Sequence, residues 1–214
     1  MDAVFWHTKW EQNQIGFHSP VPHPFLVSYV ARLNLQPGAH VLVPLCGKTL
    51  DIHWLLAAGC RITGIELSPV AVEALFQDLG LVPQIETVPN AICYTAGTLR
   101  VFVGDIFECT PQSIGRVDAV YDRAALIALP DAVRASYAQH LICLAQNAPQ
   151  LLTCVEYDQS KRAGPPFAVL AHEVSALYGA AYRVTELEKT LLPEGIKGLC
   201  PAYETVWYLS PKGG

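Results

Sequence analysis

Residues 40–76, HVLVPLCGKTLDIHWLLAAGCRITGIELSPVAVEALF, constrain the fold of this chain more than any other stretch. An apolar run ends in a Pro/Gly turn, an amphipathic helix follows, and a second apolar run ends in Glu66 before another helix begins. That order is a βαβ unit and the first half of a nucleotide-type cofactor site. The turn lets a ligand approach the backbone, and an acid ending the second strand accepts hydrogen bonds from ribose hydroxyls. Glu66 follows Gly47 by 19 residues. At about 3.3 Å per strand residue and 1.5 Å per helix residue, that length returns the chain to the side of its own turn.

The pattern predicts a strand over 40–45, a helix over 49–58, a strand over 61–66 and a helix over 69–79, with Ser68-Pro69 as N-cap and first helical residue. IETV, ICYT and LRVFVGD then read as a strand preceded by a small inserted hairpin, with turns at Pro89-Asn90 and Gly97-Thr98. VDAVYD (117–122) is the next core strand, and a helix follows over 131–146. QLLTCVEYD reads as a strand, FAVLAHEVSALYG as a helix, and RVTELEK and YETVWYLS as two closing strands. Two consecutive strands on a short connection cannot both be parallel, so one of them runs against the rest. The expected fold class is therefore α/β and Rossmann-like: a mostly parallel seven-stranded sheet with one antiparallel strand near the C-terminus and helices on both faces. No repeat or long linker divides it, so a single domain over 1–214 is expected.

Composition closes off several functions. The 51% apolar and 15% charged content suits a sheet buried on both faces. A net charge of −5, with 14 basic residues spread thinly, offers no footprint for nucleic acid. No unbroken apolar run is long enough for a membrane, and the opening MDAVFWHTKW has no signal-peptide core, so a cytosolic protein is expected. The seven cysteines lie mostly in apolar stretches and read as reduced core residues; the seven histidines are dispersed, so no metal is expected.

The turn at 44–49 allows two phosphate readings and weakens both. Gly47-Lys48-Thr49 matches the end of a P-loop, but position 42 is Leu where the motif requires Gly, and the three-glycine dinucleotide fingerprint is absent. A ribose-bearing cofactor without phosphates needs only close approach at Leu45, Cys46 and Gly47 and an acceptor at Glu66, which S-adenosylmethionine satisfies. Three more features sit where open α/β sheets bind ligands, at the carboxyl ends of strands, or just ahead of the first strand. Asp105-Ile106 is either an adenine contact or a cap on the next turn. Arg123 is either a fork for a carboxylate or a solvated strand end. Trp6 and Trp10 share one helical face, packing on the domain or closing over a cofactor.

Taken together, Trp6 to Trp10, Gly16-Phe17-His18, VPLCGKTLDIHWLLAAG, GIELSPVAVEALF, GDIF, YDRAALIALP and the aromatic C-terminal strand resemble the thiopurine S-methyltransferase family over nearly the whole chain. The resemblance implies a class I methyltransferase with S-adenosylmethionine as donor and a segment over 1–35 covering the site. It implies that Trp10, the backbone of Leu45 and Gly47, Glu66, Asp105 and Ile106 bind the donor. Arg123 would lie near the methionine carboxylate or the acceptor, and Phe17 and His18 near the acceptor. The expected acceptor is a small thiol such as a thiopurine or aryl thiol, with selenium and tellurium oxyanions as further acceptors, and the expected state is a monomer. Two rivals remain: a P-loop-like protein using Lys48 with Asp122 as magnesium acid, and a non-catalytic S-adenosylmethionine-binding module.

Overall fold

A computed structural model describes residues 3–213; Met1, Asp2 and Gly214, the extreme ends of the expected domain and covering segment, lie outside the described residues. The βαβ unit forms β1 (His40–Pro44), α3 (Leu50–Ala57), β2 (Arg61–Glu66) and α4 (Pro69–Asp78), preceded by α1 (Ala3–Glu11) and α2 (Pro24–Tyr29). Local chemistry sets these boundaries. The Thr49 hydroxyl accepts the Asp51 N–H to open α3, and the Ser68 hydroxyl accepts the Ala71 N–H to open α4, with Pro69 in the first turn, where no amide donor is needed.

Beyond α4 come β3 (Gln84–Val88), β4 (Ala91–Ala96), β5 (Leu99–Val103), α5 (Pro111–Ile114), β6 (Ala119–Arg123), α6 (Asp131–Leu144), β7 (Gln150–Glu156), α7 (Ala171–Tyr178), β8 (Tyr182–Leu191) and β9 (Tyr203–Pro211). They form one sheet in the order β3-β4-β5-β2-β1-β6-β7-β9-β8. Strands β5, β2, β1, β6 and β7 are parallel, and β9 inserts antiparallel between β7 and β8.

The expected count of seven strands is corrected to nine. The hairpin β3–β4 does not stand apart: β4 pairs antiparallel with β5 along its whole length, from Ile92–Val103 to Ala96–Leu99. An unpaired β5 edge would leave a row of backbone donors and acceptors open, and the hairpin satisfies them. The helix expected over FAVLAHEVSALYG also shortens. The backbone N–H groups of Phe167 and Val169 bond to the carbonyls of Ile127 and Val155, so 167–170 stays extended and α7 begins at Ala171.

Alternation along the strands splits the core into two clusters. Val41, Val43, Ile62, Ala119 and Tyr121 pack with α2, α3 and α4 on one face; Leu42, Ile65 and Val120 pack with α6 and α7 on the other. Among the described residues no helix is long and apolar enough to cross a membrane.

Candidate functional site

The sheet order reverses direction at β1: β2 and β5 lie to one side, β6 and β7 to the other. The crevice beyond the carboxyl ends of such strands is where open α/β sheets bind ligands. It contains the 45–49 turn, Glu66, Asp105 and Arg123.

The turn is tight and left-handed at two points, with φ of 44° at Leu45 and 51° at Gly47. Gly47 donates its N–H to Glu66 Oε2 at 2.7 Å, and Ser68 donates its N–H to Glu66 Oε1 at 2.9 Å. Each carboxylate oxygen is therefore braced by one backbone donor and retains a lone pair. Burial raises the Glu66 carboxyl above its ordinary range, opposed by those same N–H groups.

Trp10, buried on α1, lies across the turn. A β-carbon at Gly47 would fall 2.9 Å from Trp10 Cζ2, so the indole fits against this backbone only because residue 47 has no side chain. Phe17 stacks edge-on against Trp10 and Trp6, with ring centres 5.5 and 5.8 Å away, and is itself 40% exposed. His18 follows it. Burial, then the Lys48 ammonium, lowers its pKa; Arg123 acts the same way, against Asp78 and Asp51. The N-terminal segment thus brings Trp10, Phe17 and His18 to the carboxyl edge beside Gly47, Lys48 and Arg123.

Asp105 sits at the end of β5 and caps the short turn after it, its Oδ1 accepting the Phe107 N–H at 3.1 Å. The capping alternative is therefore realised, with the second carboxylate oxygen left over. Ile106 is fully buried, and its carbonyl receives the His140 ring at 2.8 Å.

Neighbouring residues on β6 have opposite fates. Asp122 faces α6, where it accepts the Tyr137 hydroxyl at 2.7 Å and the Leu126 N–H at 3.2 Å; burial pushes its carboxyl up to about 6. Arg123 faces α3, and its Nη1 lies 3.8 Å from Asp51 Oδ2. Asp51 also accepts the Tyr121 hydroxyl at 3.0 Å and the His23 N–H at 2.6 Å. The His23 ring in turn reaches Glu204 Oε2 at 3.1 Å. Sequence reasoning missed Asp51, Tyr121 and His23. Strand alternation was the available signal that Tyr121 and Arg123 share a face, but no local signal names the carboxylate awaiting them.

The phosphate reading finds no support here. Strand β1 runs through Leu42 to Pro44, so too few residues remain before α3 for a wide anion loop. Lys48 is paired with Asp78 at 3.1 Å, and Asp122 is enclosed away from the crevice. Among the described residues no group of His, Cys, Asp and Glu could hold a metal ion.

The sequence model described as Thiopurine S-methyltransferase (TPMT) matches residues 1–199. A thiopurine S-methyltransferase from Xanthobacter autotrophicus is 52% identical over 210 residues, covering 98% of this chain and 99% of that protein. One from Gluconobacter oxydans is 48% identical over 210 residues, with coverages of 98% and 96%. Among solved structures, the 1,6-didemethyltoxoflavin-N1-methyltransferase of Burkholderia thailandensis, bound to S-adenosylhomocysteine, shares the fold with a TM-score of 0.66 at 17% identity, covering 98% of this chain and 87% of that one. With the family pattern matched along most of its length and relatives about half identical over nearly all of it, the chain belongs to the thiopurine S-methyltransferase family of S-adenosylmethionine-dependent methyltransferases.

Proposed function

We propose that this enzyme transfers the methyl group of S-adenosylmethionine to the sulfur of small thiols, with thiopurines and aryl thiols as the acceptor class. The observation that carries the reading is the Glu66 carboxylate, braced by Gly47 and Ser68 and roofed at Gly47 by Trp10. These residues fit an adenosyl group without phosphates: one glycine gives close approach, the carboxylate retains lone pairs for two ribose hydroxyls, and no anion cradle is present.

When bound, S-adenosylmethionine supplies a methyl group already activated by its sulfonium. Glu66 fixes the ribose, the Leu45–Gly47 backbone lines the chain beyond it, and Asp105 and Ile106 flank the adenine. Trp10 keeps water from the turn and, with Phe17 and His18, forms the wall on the acceptor side. Transfer would exchange the sulfonium S–CH3 bond for an acceptor S–CH3 bond with the two sulfurs in line, so these residues would act mainly by alignment. A thiolate is already a good nucleophile, so no protein nucleophile is required. Arg123, with one loose ion pair and no side-chain hydrogen bond among the described residues, stabilises an anionic acceptor.

Calorimetry with S-adenosylhomocysteine, followed by a labelled-methyl assay on thiopurines, aryl thiols, selenite and tellurite, tests the proposal. Product-analogue binding with methyl transfer to a thiol is expected. Binding without transfer to any of them identifies a non-catalytic module, and no binding removes the reading altogether. Transfer to selenite or tellurite would widen the acceptor class.

A further inference from the structure

Asp51 stands out among the charged groups that the proposed mechanism does not use. It is 1% exposed, in the first turn of α3, and carries three partners drawn from distant parts of the chain. The first turn of a helix favours a carboxylate, which explains an acid at this position but not its inward aim. Its Oδ1 accepts the His23 N–H at 2.6 Å; its Oδ2 accepts the Tyr121 hydroxyl at 3.0 Å and faces Arg123 Nη1 at 3.8 Å. Among the described residues the Arg123 guanidinium makes this ion pair and no hydrogen bond. His23 opens α2 and closes the loop that starts at Phe17 and His18.

We propose that Asp51 is a positioning residue whose single carboxylate aims the Arg123 guanidinium at the acceptor and ties that aim to the docking of the N-terminal segment through His23. The proposal rests on the assignment of Arg123 to an anionic acceptor. A guanidinium has a flexible stem, and one charged partner on one side leaves its other N–H groups directed away from that partner. Tyr121 holds the carboxylate from below on the same strand as Arg123, so the pair has little freedom to swing together. The His23 bond means that undocking the segment removes a donor from the same carboxylate.

The test compares Asp51→Asn with the parent enzyme on two aryl thiols, an anionic one whose ring bears a carboxylate for Arg123 to meet and a neutral one whose ring carries no charged substituent. Loss of aim without loss of positive charge lowers kcat for the anionic thiol by about tenfold with no rise in its KM, and changes the neutral thiol less than about twofold. Two readouts do not need turnover. Labelling of Arg123 by phenylglyoxal, followed by peptide mapping, speeds up by about fivefold once the guanidinium is released, and exchange of the His23 amide rises as its charged acceptor becomes neutral. Affinity for S-adenosylhomocysteine stays within about twofold, which a general loss of structure would not allow. Should Asp51→Asn fail to fold, Asp51→Glu keeps the charge but displaces the guanidinium, and the same kcat loss with unchanged KM is expected.

Equal kcat losses for both thiols, unchanged Arg123 labelling, or unchanged exchange at His23 would each overturn the proposal. If the parent enzyme binds S-adenosylhomocysteine but methylates neither thiol, the proposed function fails, while labelling and exchange still decide whether Asp51 holds Arg123 and His23.

Discussion

Gly47 and Glu66 are joined by a 2.7 Å hydrogen bond from backbone N–H to carboxylate, linking the turn after β1 to the carboxyl end of β2. The second oxygen is bound by Ser68, so the carboxylate can neither rotate nor be exchanged for an amide without loss. Glu66→Gln turns one oxygen into a donor facing a backbone N–H. A hydrogen bond to a charged group is worth about 1.5–3 kcal/mol, so affinity for S-adenosylhomocysteine should fall by roughly 10- to 100-fold in calorimetry. Full affinity in this variant would remove Glu66 from the site.

Gly47→Ala meets two separate penalties: a left-handed backbone at φ 51° and a β-carbon 2.9 Å from Trp10 Cζ2. The backbone part is about 1 kcal/mol, and the contact adds a similar amount or displaces the indole. In a Trp10→Ala background only the backbone part should remain, so a double-mutant cycle on urea midpoints should return a coupling of about 1 kcal/mol. Trp10→Ala alone should also weaken S-adenosylhomocysteine binding and diminish the fluorescence change that accompanies it.

Asp122 gives a pH dependence whose sign can be worked out. Burial raises its carboxyl to about 6 from an ordinary 3.8. The folded protein therefore holds this proton more tightly than the unfolded chain, and the contribution to stability declines as pH rises from about 4 to 6. The shift corresponds to at most ~3 kcal/mol. Asp122→Asn retains an acceptor for Tyr137 or Leu126 and cannot titrate. Between pH 4 and 7 the difference in Tm between the two proteins should change by several degrees, with the parent relatively stronger at low pH. A flat difference would mean that Asp122 titrates in its ordinary range.

Lys48 separates the cofactor classes. Its pairing with Asp78 joins partly exposed side chains. Lys48→Ala should change stability by no more than about 1 kcal/mol. Binding of S-adenosylhomocysteine should be indifferent to magnesium in both proteins. Magnesium-dependent nucleotide binding lost in this variant would restore the P-loop reading.

Much of the architecture lies in short-range pattern. The strands and helices of residues 40–78 follow from apolar periodicity and from caps at Thr49 and Ser68, because each depends on residues within one or two turns of chain. The antiparallel C-terminal strand followed from the length of one connection. The return of Glu66 to the turn at Gly47 followed from strand and helix rise. The opposite fates of Asp122 and Arg123 were not read from the sequence, although consecutive strand residues face opposite ways.

Other features depend on which distant segments meet, and periodicity carries no record of that. The hairpin β3–β4 is recognisable locally, yet whether it extends the sheet depends on the open edge of β5. Trp10 was visible as one of two aromatics on a helical face; its seat against Gly47 required α1 to fold back across the first turn. The Asp51 cluster shows this most clearly, since its carboxylate gathers a backbone donor 28 residues upstream and a hydroxyl 70 residues downstream. Amino-acid order alone therefore determined the Gly47–Glu66 pairing, whose partners are held by one βαβ unit. The Asp51–Arg123 cluster was decided by tertiary packing, because a buried charge takes whichever partners the assembled core brings within reach.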